Sequence, residues 1–296
     1  MAVQVPRRCY RAAAMSLESL SSAPSPDPQP GDLANHVPSS ADVGEPLPFR
    51  FSRLSGRSPA LLVCDHASNR VPCRLDDLGL PPEELERHIG WDIGAAGVAE
   101  RLAIRLDAPL VESRFSRLVI DANRHLSSGG LIPPVSDGTP VPGNDLDGAE
   151  RARRIDGLYL PYHQAVMRLI EARIAQGLGP ALVFMHSFTP RMNGFERPWE
   201  IGILWDRDPR LPRPLIERLR AMGLRVGDNE PYSGRSPEDY GLHAHGEARG
   251  LPCVLIELRQ DLVADQPGMA RWAAILEEAL GPLLRDPATF AAPAPA

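Results

Sequence analysis

The sequence predicts an α/β sandwich built on a largely parallel or mixed sheet. Short apolar runs of strand length alternate with longer segments of helical periodicity from about residue 48 onward. Several of these runs hand over directly to polar, chemistry-bearing residues, as strands do where an open α/β sheet forms a ligand crevice. The chain has 296 residues, enough for one such domain with a sizeable core.

Residues 1–46 lack apolar periodicity and are expected to be a disordered tail, with Pro, Ser, Asp and Gly dense from residue 21 onward. Met15 is an alternative translation start to Met1. One domain is expected over residues 47–288 and a flexible tail over 289–296. Residues 60–64, Ala-Leu-Leu-Val-Cys, read as a buried strand. Residues 83–106 carry helical spacing, with Ile93, Ala96, Ala99 or Val98, Leu102, Ala103 and Leu106 on one face. Gly90, Gly94 and Gly97 move the expected start of that helix to near Asp92. Residues 109–112 and 115–120 read as two further strands. Residues 129–148 form a Pro/Gly/Asp-rich loop too long for a plain connection, which makes it a candidate site loop. A long amphipathic helix, bent at Pro161, is expected over 150–176. Strands at 181–185, 200–204, 224–226 and 252–258 and helices at 213–222, 239–249 and 268–284 complete the alternation.

The formal net charge is −6, and all 32 basic residues other than histidine are arginines, since the chain contains no lysine. They are interspersed with acids and form no basic block, so no nucleic-acid partner is expected. No run of about 18 apolar residues predicts a membrane span. Residues 2–15 lack the apolar core of a signal peptide. Cys9, Cys64, Cys73 and Cys253 form no C-x-x-C pair. Cys64 and Cys253 lie in strand-like runs and are expected to be small buried hydrophobes in a protein of the reducing cytoplasm.

The polar handovers are specific. Leu61 to Cys64 leads into Asp65-His66-Ala67-Ser68-Asn69, Leu118 to Ile120 into Asp121-Ala122-Asn123-Arg124, and Leu182 to Met185 into His186-Ser187. Cys253 to Ile256 leads into Glu257. If these four runs are parallel strands, their polar ends converge on one cleft. The groups suit metal-assisted amide hydrolysis, which needs about three protein ligands, an open position for water and a separate proton carrier. His66 and His186 supply two candidate ligands, Asp92 or Asp65 a third, and Glu257 a base. Arg114, Arg117 and Arg124 are three guanidiniums within eleven residues that could grip a carboxylate. A single histidine after a strand is more often a hydrogen-bonded loop residue, and only the repetition at equivalent strand ends lifts His66 and His186 above that. No H-E-x-x-H, G-x-S-x-G, P-loop or G-x-G-x-x-G motif is present. His163 is expected to be structural, and His88, His125 and His243 solvated.

Leu62-Val-Cys-Asp-His-Ala-Ser-Asn69, Trp91-Asp-Ile-Gly-Ala95, Ser113-Arg-Phe-Ser-Arg-Leu-Val-Ile-Asp-Ala-Asn-Arg124, Pro161-Tyr-His163, His186-Ser-Phe188 and Ile256-Glu-Leu-Arg-Gln-Asp-Leu262 together resemble the N-formylglutamate amidohydrolase family, in the family's order. The resemblance implies a three-layer fold similar to zinc carboxypeptidases, with a central mixed, largely parallel sheet flanked by helices. It implies hydrolysis of an N-acyl amino acid, N-formyl-L-glutamate or a close analogue, by an enzyme holding one Zn2+. By the same resemblance His66, Asp92 and His186 look like metal ligands and Glu257 like the general base. Arg117 is similar to an oxyanion or carboxylate partner, and Asn123 and Arg124 to a carboxylate grip. Arg114, Ser68 and Asn69 complete the expected substrate contacts. Asn69 stands where carboxypeptidase relatives carry a Glu three residues after the first His, so the carboxylate ligand must come from elsewhere, with Asp65 the fallback to Asp92. A zinc carboxypeptidase or amidase acting on peptides, and a non-catalytic binder of an acidic metabolite, are the alternative readings.

Overall fold

A computed structural model describes residues 45–292 of the chain. A seven-stranded sheet forms its centre: β1 (Phe49–Ser52), β2 (Ala60–Cys64), β3 (Leu110–Ser113), β4 (Ala181–Phe188), β5 (Ile201–Leu204), β6 (Val226–Asp228) and β7 (Cys253–Arg259), in the order β1-β3-β2-β4-β7-β5-β6. β3, β2, β4 and β7 run parallel, β1 is antiparallel to β3, and the parallel pair β5 and β6 runs against β7. The expected mixed, largely parallel sheet is therefore present.

The side-chain alternation of the strands sorts the core into two layers. Ala60, Leu62, Val183, Met185, Val254 and Ile256 face one side, where they pack against α1 (Ala95–Leu106), α4 (Pro212–Ala221) and α5 (Gln266–Leu283). Leu61, Val63, Leu182, Phe184 and Leu255 face the other side, covered by α3 (Leu160–Ala175) through Tyr162, Val166, Leu169 and Ile170. All of these are essentially inaccessible to solvent, and burying one such side chain stabilises the fold by roughly 1.5–3 kcal/mol. Cys64 and Cys253 are buried free thiols, as expected from their strand positions.

Four expected elements differ. The apolar run 115–120 is not a strand. Ser116 turns the chain, its hydroxyl donating to Gly90 O at 2.7 Å and accepting from Leu118 N at 3.2 Å. Leu118, Val119 and Ile120 then bury against Leu78, Leu85, Ile89 and Leu131 in a satellite cluster beneath the loops. Apolar content alone does not separate a buried loop from a buried strand. The segment 83–106 splits into a one-turn helix, Pro82–Leu85, and α1, with the chain turning between them. Gly90 and Gly94 force the break: a Cβ on Gly90 would meet Leu85 O at 2.3 Å, and Gly94 has φ +82°. The helix 150–176 is α2 (Gly148–Arg154), a π-helical turn (Ile155–Tyr159) and α3. The widened turn directly before Pro161 accommodates a ring that would crowd a regular α-turn. The expected helix 239–249 is present from Tyr240 to Arg249, but after its first two residues it winds as a π-turn, Leu242–Gly246, and a 3-10 turn, Glu247–Arg249, instead of a regular α-helix.

The expected N-terminal tail lies outside the described residues apart from 45 and 46. At the other end residues 289–292 are described, and the expected tail does not begin at 289. Asp286 caps a one-turn helix, Pro287–Phe290, and the buried Thr289 donates its hydroxyl to Leu283 O at 2.8 Å. No helix among the described residues is long and apolar enough to cross a membrane.

Arg154 ties the loops together. Its side chain is 1% exposed and donates to Val119 O at 3.0 Å, Asn144 Oδ1 at 2.6 Å, Gly143 O at 2.7 Å and Glu150 Oε1 at 3.1 Å. Asn144 in turn donates to Leu118 O and Pro133 O, so the loop 129–148 is pinned rather than free. Arg154→Ala leaves Val119 O, Gly143 O and Asn144 Oδ1 without this donor, while Glu150 keeps Arg74 and Arg153, and we expect it to lower unfolding free energy by about 3 kcal/mol in urea titration.

Candidate active site

Three strand ends and one loop converge as the polar handovers anticipate, with the loop 115–124 replacing the fourth strand. The register sets Glu257 of β7 opposite His186 of β4, and both carry the parity of the sheet face covered by α3. His66 follows β2 in a turn. Asp92 enters through the glycine-bounded break before α1, where its N–H donates to His66 O at 3.0 Å.

Asp92 lies between the two histidines. Its Oδ2 is 2.8 Å from His186 Nδ1 and 3.3 Å from His66 Nδ1, and it accepts from Ser187 N at 3.2 Å. The outer nitrogen of each ring has its own carboxylate: His66 Nε2 meets Asp121 Oδ1 at 2.7 Å, and His186 Nε2 meets Asp65 Oδ2 at 3.1 Å. Tyr162 donates its hydroxyl to the other oxygen of Asp65 at 2.6 Å. Each imidazole is therefore oriented by a carboxylate behind it, the arrangement that fixes the tautomer of metal-binding histidines. His66, Asp92 and His186 offer ligand atoms within 4.8 Å of one another, a group that could hold a metal ion. Asp65, the fallback ligand, is engaged behind His186 instead.

The electrostatics follow from burial. Burial opposes charge on Asp92, yet the His66 and His186 imidazoles hold it well below the usual carboxylate range. Asp121 is likewise buried and held low by the Arg117 guanidinium and His66. Burial opposes charge on His186 as well, and its bonds to Asp65 and Asp92 raise it well above an ordinary histidine. Glu257 goes the other way: burial, reinforced by the negative charges of Asp92 and Asp239, pushes it up to about 8. Its Oε2 is buried and has no hydrogen-bond partner among the described residues.

These groups open into a cleft of about 450 Å³, the size of a small-molecule site. Glu257, Arg117, Asn123 and Arg124 line it, as do Pro133, Ser136 and Asp137 of the expected site loop. Ser68, Asn69 and Arg114, expected to contact substrate, do not line it. The Ser68 hydroxyl accepts from Arg70 N in its own turn, and the Arg114 backbone pairs with Pro48. Arg117 reaches the cleft but is committed within the protein: Nε and Nη2 donate to Asp121 Oδ2 at 3.1 and 2.8 Å, and Nη1 to Asp92 Oδ1 at 3.1 Å. It braces the carboxylates, and contact with a substrate falls to its remaining N–H groups. Asn123 is similarly engaged, donating to Asp239 Oδ1 and accepting from Gly241 N. Arg124 donates to Glu238 O at 3.1 Å and keeps about a quarter of its side chain exposed.

Asp121, Asp239 and Tyr232 line the cleft and had no role assigned from sequence. Asp121 stood first after an apolar run, the same signal that marked Asp65 and Glu257. His163 is buried, as expected of a structural residue, and pairs at 2.9 Å with His245, which the sequence did not mark. Burial holds both neutral, His163 at about 3 and His245 at about 4. His88 is half-buried against Asp137 in the cleft wall rather than solvated.

Comparison with known proteins adds the lineage. A gene product of Agrobacterium tumefaciens of known crystal structure is 38% identical, with a TM-score of 0.80 over 82% of this chain and 97% of that one. The N-formylglutamate amidohydrolase of Ralstonia eutropha JMP134 shares the fold at 24% identity and a TM-score of 0.62, over 83% of this chain and 98% of that one. No curated protein matches. The N-formylglutamate amidohydrolase model matches residues 58–264, which hold every group of the site, and the chain belongs to that family of hydrolases.

Proposed function

We propose that the protein is a metal-dependent hydrolase of the amide bond of an N-acyl amino acid, N-formyl-L-glutamate or a close analogue, with Glu257 as general base. The observation that carries this reading is the buried His66–Asp92–His186 donor set beside Glu257, whose Oε2 in the same cleft has no partner among the described residues. A buried polar atom with no partner is costly unless something else completes it.

The donor set fits a divalent cation. Two imidazoles and a carboxylate are the ligand types zinc favours, and Asp121 and Asp65 supply the outer carboxylates. Bound there, the ion would polarise the acyl carbonyl and make a nearby water more acidic. Glu257 would take a proton from that water and return it to the departing nitrogen. Burial raises this carboxyl to about 8 in the ion-free site, and a cation bound beside it would lower it toward the range in which it accepts the proton and gives it up again. Arg117 keeps Asp92 and Asp121 in place, and Arg124 would hold a substrate carboxylate at the outer wall. The cleft's 450 Å³ favours a small substrate over a polypeptide.

Metal analysis of protein purified without added zinc, with formate or amine release from N-formyl, N-acetyl and N-succinyl amino acids, tests the reading. Stoichiometric zinc and hydrolysis that His66→Ala abolishes are expected; metal-free protein whose His66→Ala variant keeps full activity would overturn it. Glu257→Gln should leave metal content near normal and cut turnover by about 10²–10⁴. Its loss of metal would make Glu257 a ligand instead. Asp65→Asn and Asp121→Asn should each weaken metal affinity about 10–100-fold in chelator competition. Arg124→Ala should raise KM for dicarboxylate substrates more than for neutral ones, and equal effects would remove the carboxylate role.

A further inference from the structure

Arg197 is a buried cation with no anionic partner. It follows the short hairpin of Arg191–Met192 and Phe195–Glu196 and is 8% exposed. Its Nη1 donates to Thr189 Oγ1 at 3.1 Å and to the Tyr232 hydroxyl at 3.0 Å, and its Nη2 faces Met192 Sδ at 3.1 Å. The guanidinium also lies over the Tyr232 ring, 4.8 Å from its centroid. Among the described residues no carboxylate reaches it. Removing a charge from water without a counter-charge is unfavourable. Arg173, also buried without an anion, donates instead to the backbone carbonyls of Gly56 and Ser58, and none of the three lines the cleft. By contrast Thr189, Met192 and Tyr232 all line it, so Arg197 sits one side chain behind the wall.

Tyr232 is the way through. Its oxygen accepts from Arg197, and among the described residues nothing accepts its proton. Burial of the hydroxyl and the negative charge of Glu257 raise its pKa, so it stays a donor. The rest of the cleft is poor in free positive charge. Asp137, Glu238 and Asp239 add to the carboxylates of the donor set, Arg117 is committed to Asp92 and Asp121, and Arg124 leans on Glu238. A dicarboxylate whose first carboxylate meets Arg124 needs a second cation for the other, and Arg197 is one that no acid among the described residues has neutralised.

We propose that Tyr232, backed by Arg197, is a carboxylate-binding subsite, with the hydroxyl donating to the anion and the guanidinium supplying the charge behind it. Tyr232 would be the contacting residue and Arg197 the positioning one. Naming the anion as a carboxylate of the substrate's amino acid part rests on the function proposed above.

Calorimetric titration of glutarate, a dicarboxylate with no amide to hydrolyse, into protein as purified and matched in metal content reads the subsite directly. The wild type should bind, Tyr232→Phe and Arg197→Gln should weaken binding about tenfold or more, and Arg197→Lys should recover part of it. With a hydrolysed N-acyl amino acid, Tyr232→Phe should raise KM by a similar factor and leave kcat within about twofold. Should Arg197→Gln fail to fold, Tyr232→Phe still decides, because it removes only a hydroxyl from a residue that is 41% exposed overall. Unchanged glutarate affinity in Tyr232→Phe, no binding by the wild type, or a fall in kcat at constant KM each overturns the subsite. Glutarate binding that depends on Tyr232, in a protein that hydrolyses no N-acyl amino acid, would keep the subsite and reject the proposed function.

Discussion

The site depends on one shared acceptor. Asp92 receives His66, His186, Ser187 N and Arg117, and it is 3% exposed. An isolated carboxylate at that depth would protonate or unfold its surroundings. Here Asp65, Asp121, the two imidazoles and Arg117 form one buried network in which each charge has an opposite within hydrogen-bond reach. Such a network is stable only when complete, and it leaves little freedom in where its members stand. Completeness brings precision: the Nδ1 atoms of both rings point at the same carboxylate because their Nε2 atoms are held from behind.

The surrounding loops look irregular but serve that geometry. The glycine break before α1 delivers Asp92 beneath His66, at the cost of a continuous helix. The loop 115–124 buries its apolar half under the satellite cluster and presents Arg117, Asp121, Asn123 and Arg124 from its polar half. Arg154 and Asn144 hold it from behind through backbone carbonyls. A strand would have satisfied the same backbone groups, but its alternation would have sent neighbouring residues to opposite faces. A turn lets Arg117 and Asp121 close on one another at i,i+4.

Glu257 and the acidic cleft set the electrostatic character of the opening. Glu257 is raised because burial and two neighbouring carboxylates outweigh His186 and Arg117. The same negative surroundings make an unneutralised cation behind the wall consequential, since field lines focus in a walled, poorly hydrated cleft. Arg197 is the residue placed to balance them, through a neutral phenol rather than directly.

The α/β class, the parallel core strands and the positions of His66, His186 and Glu257 were legible in the sequence, because each is a local pattern: an apolar run of strand length ending in a polar group. Those residues are near one another as soon as the strands lie parallel and in register. What the sequence could not decide was everything joining segments distant along the chain. Whether Leu118 to Ile120 formed a strand depended on neighbours at Leu78, Ile89 and Leu131, and whether Asp65 or Asp92 stood between the imidazoles depended on which way each ring faced. Arg117 read as a substrate contact until its two carboxylates appeared beside it, and Arg197 and Tyr232, 35 residues apart, carried no mark at all. Periodicity records which side of an element is buried, whereas the partner of a buried charge is fixed only when the whole chain has folded around it.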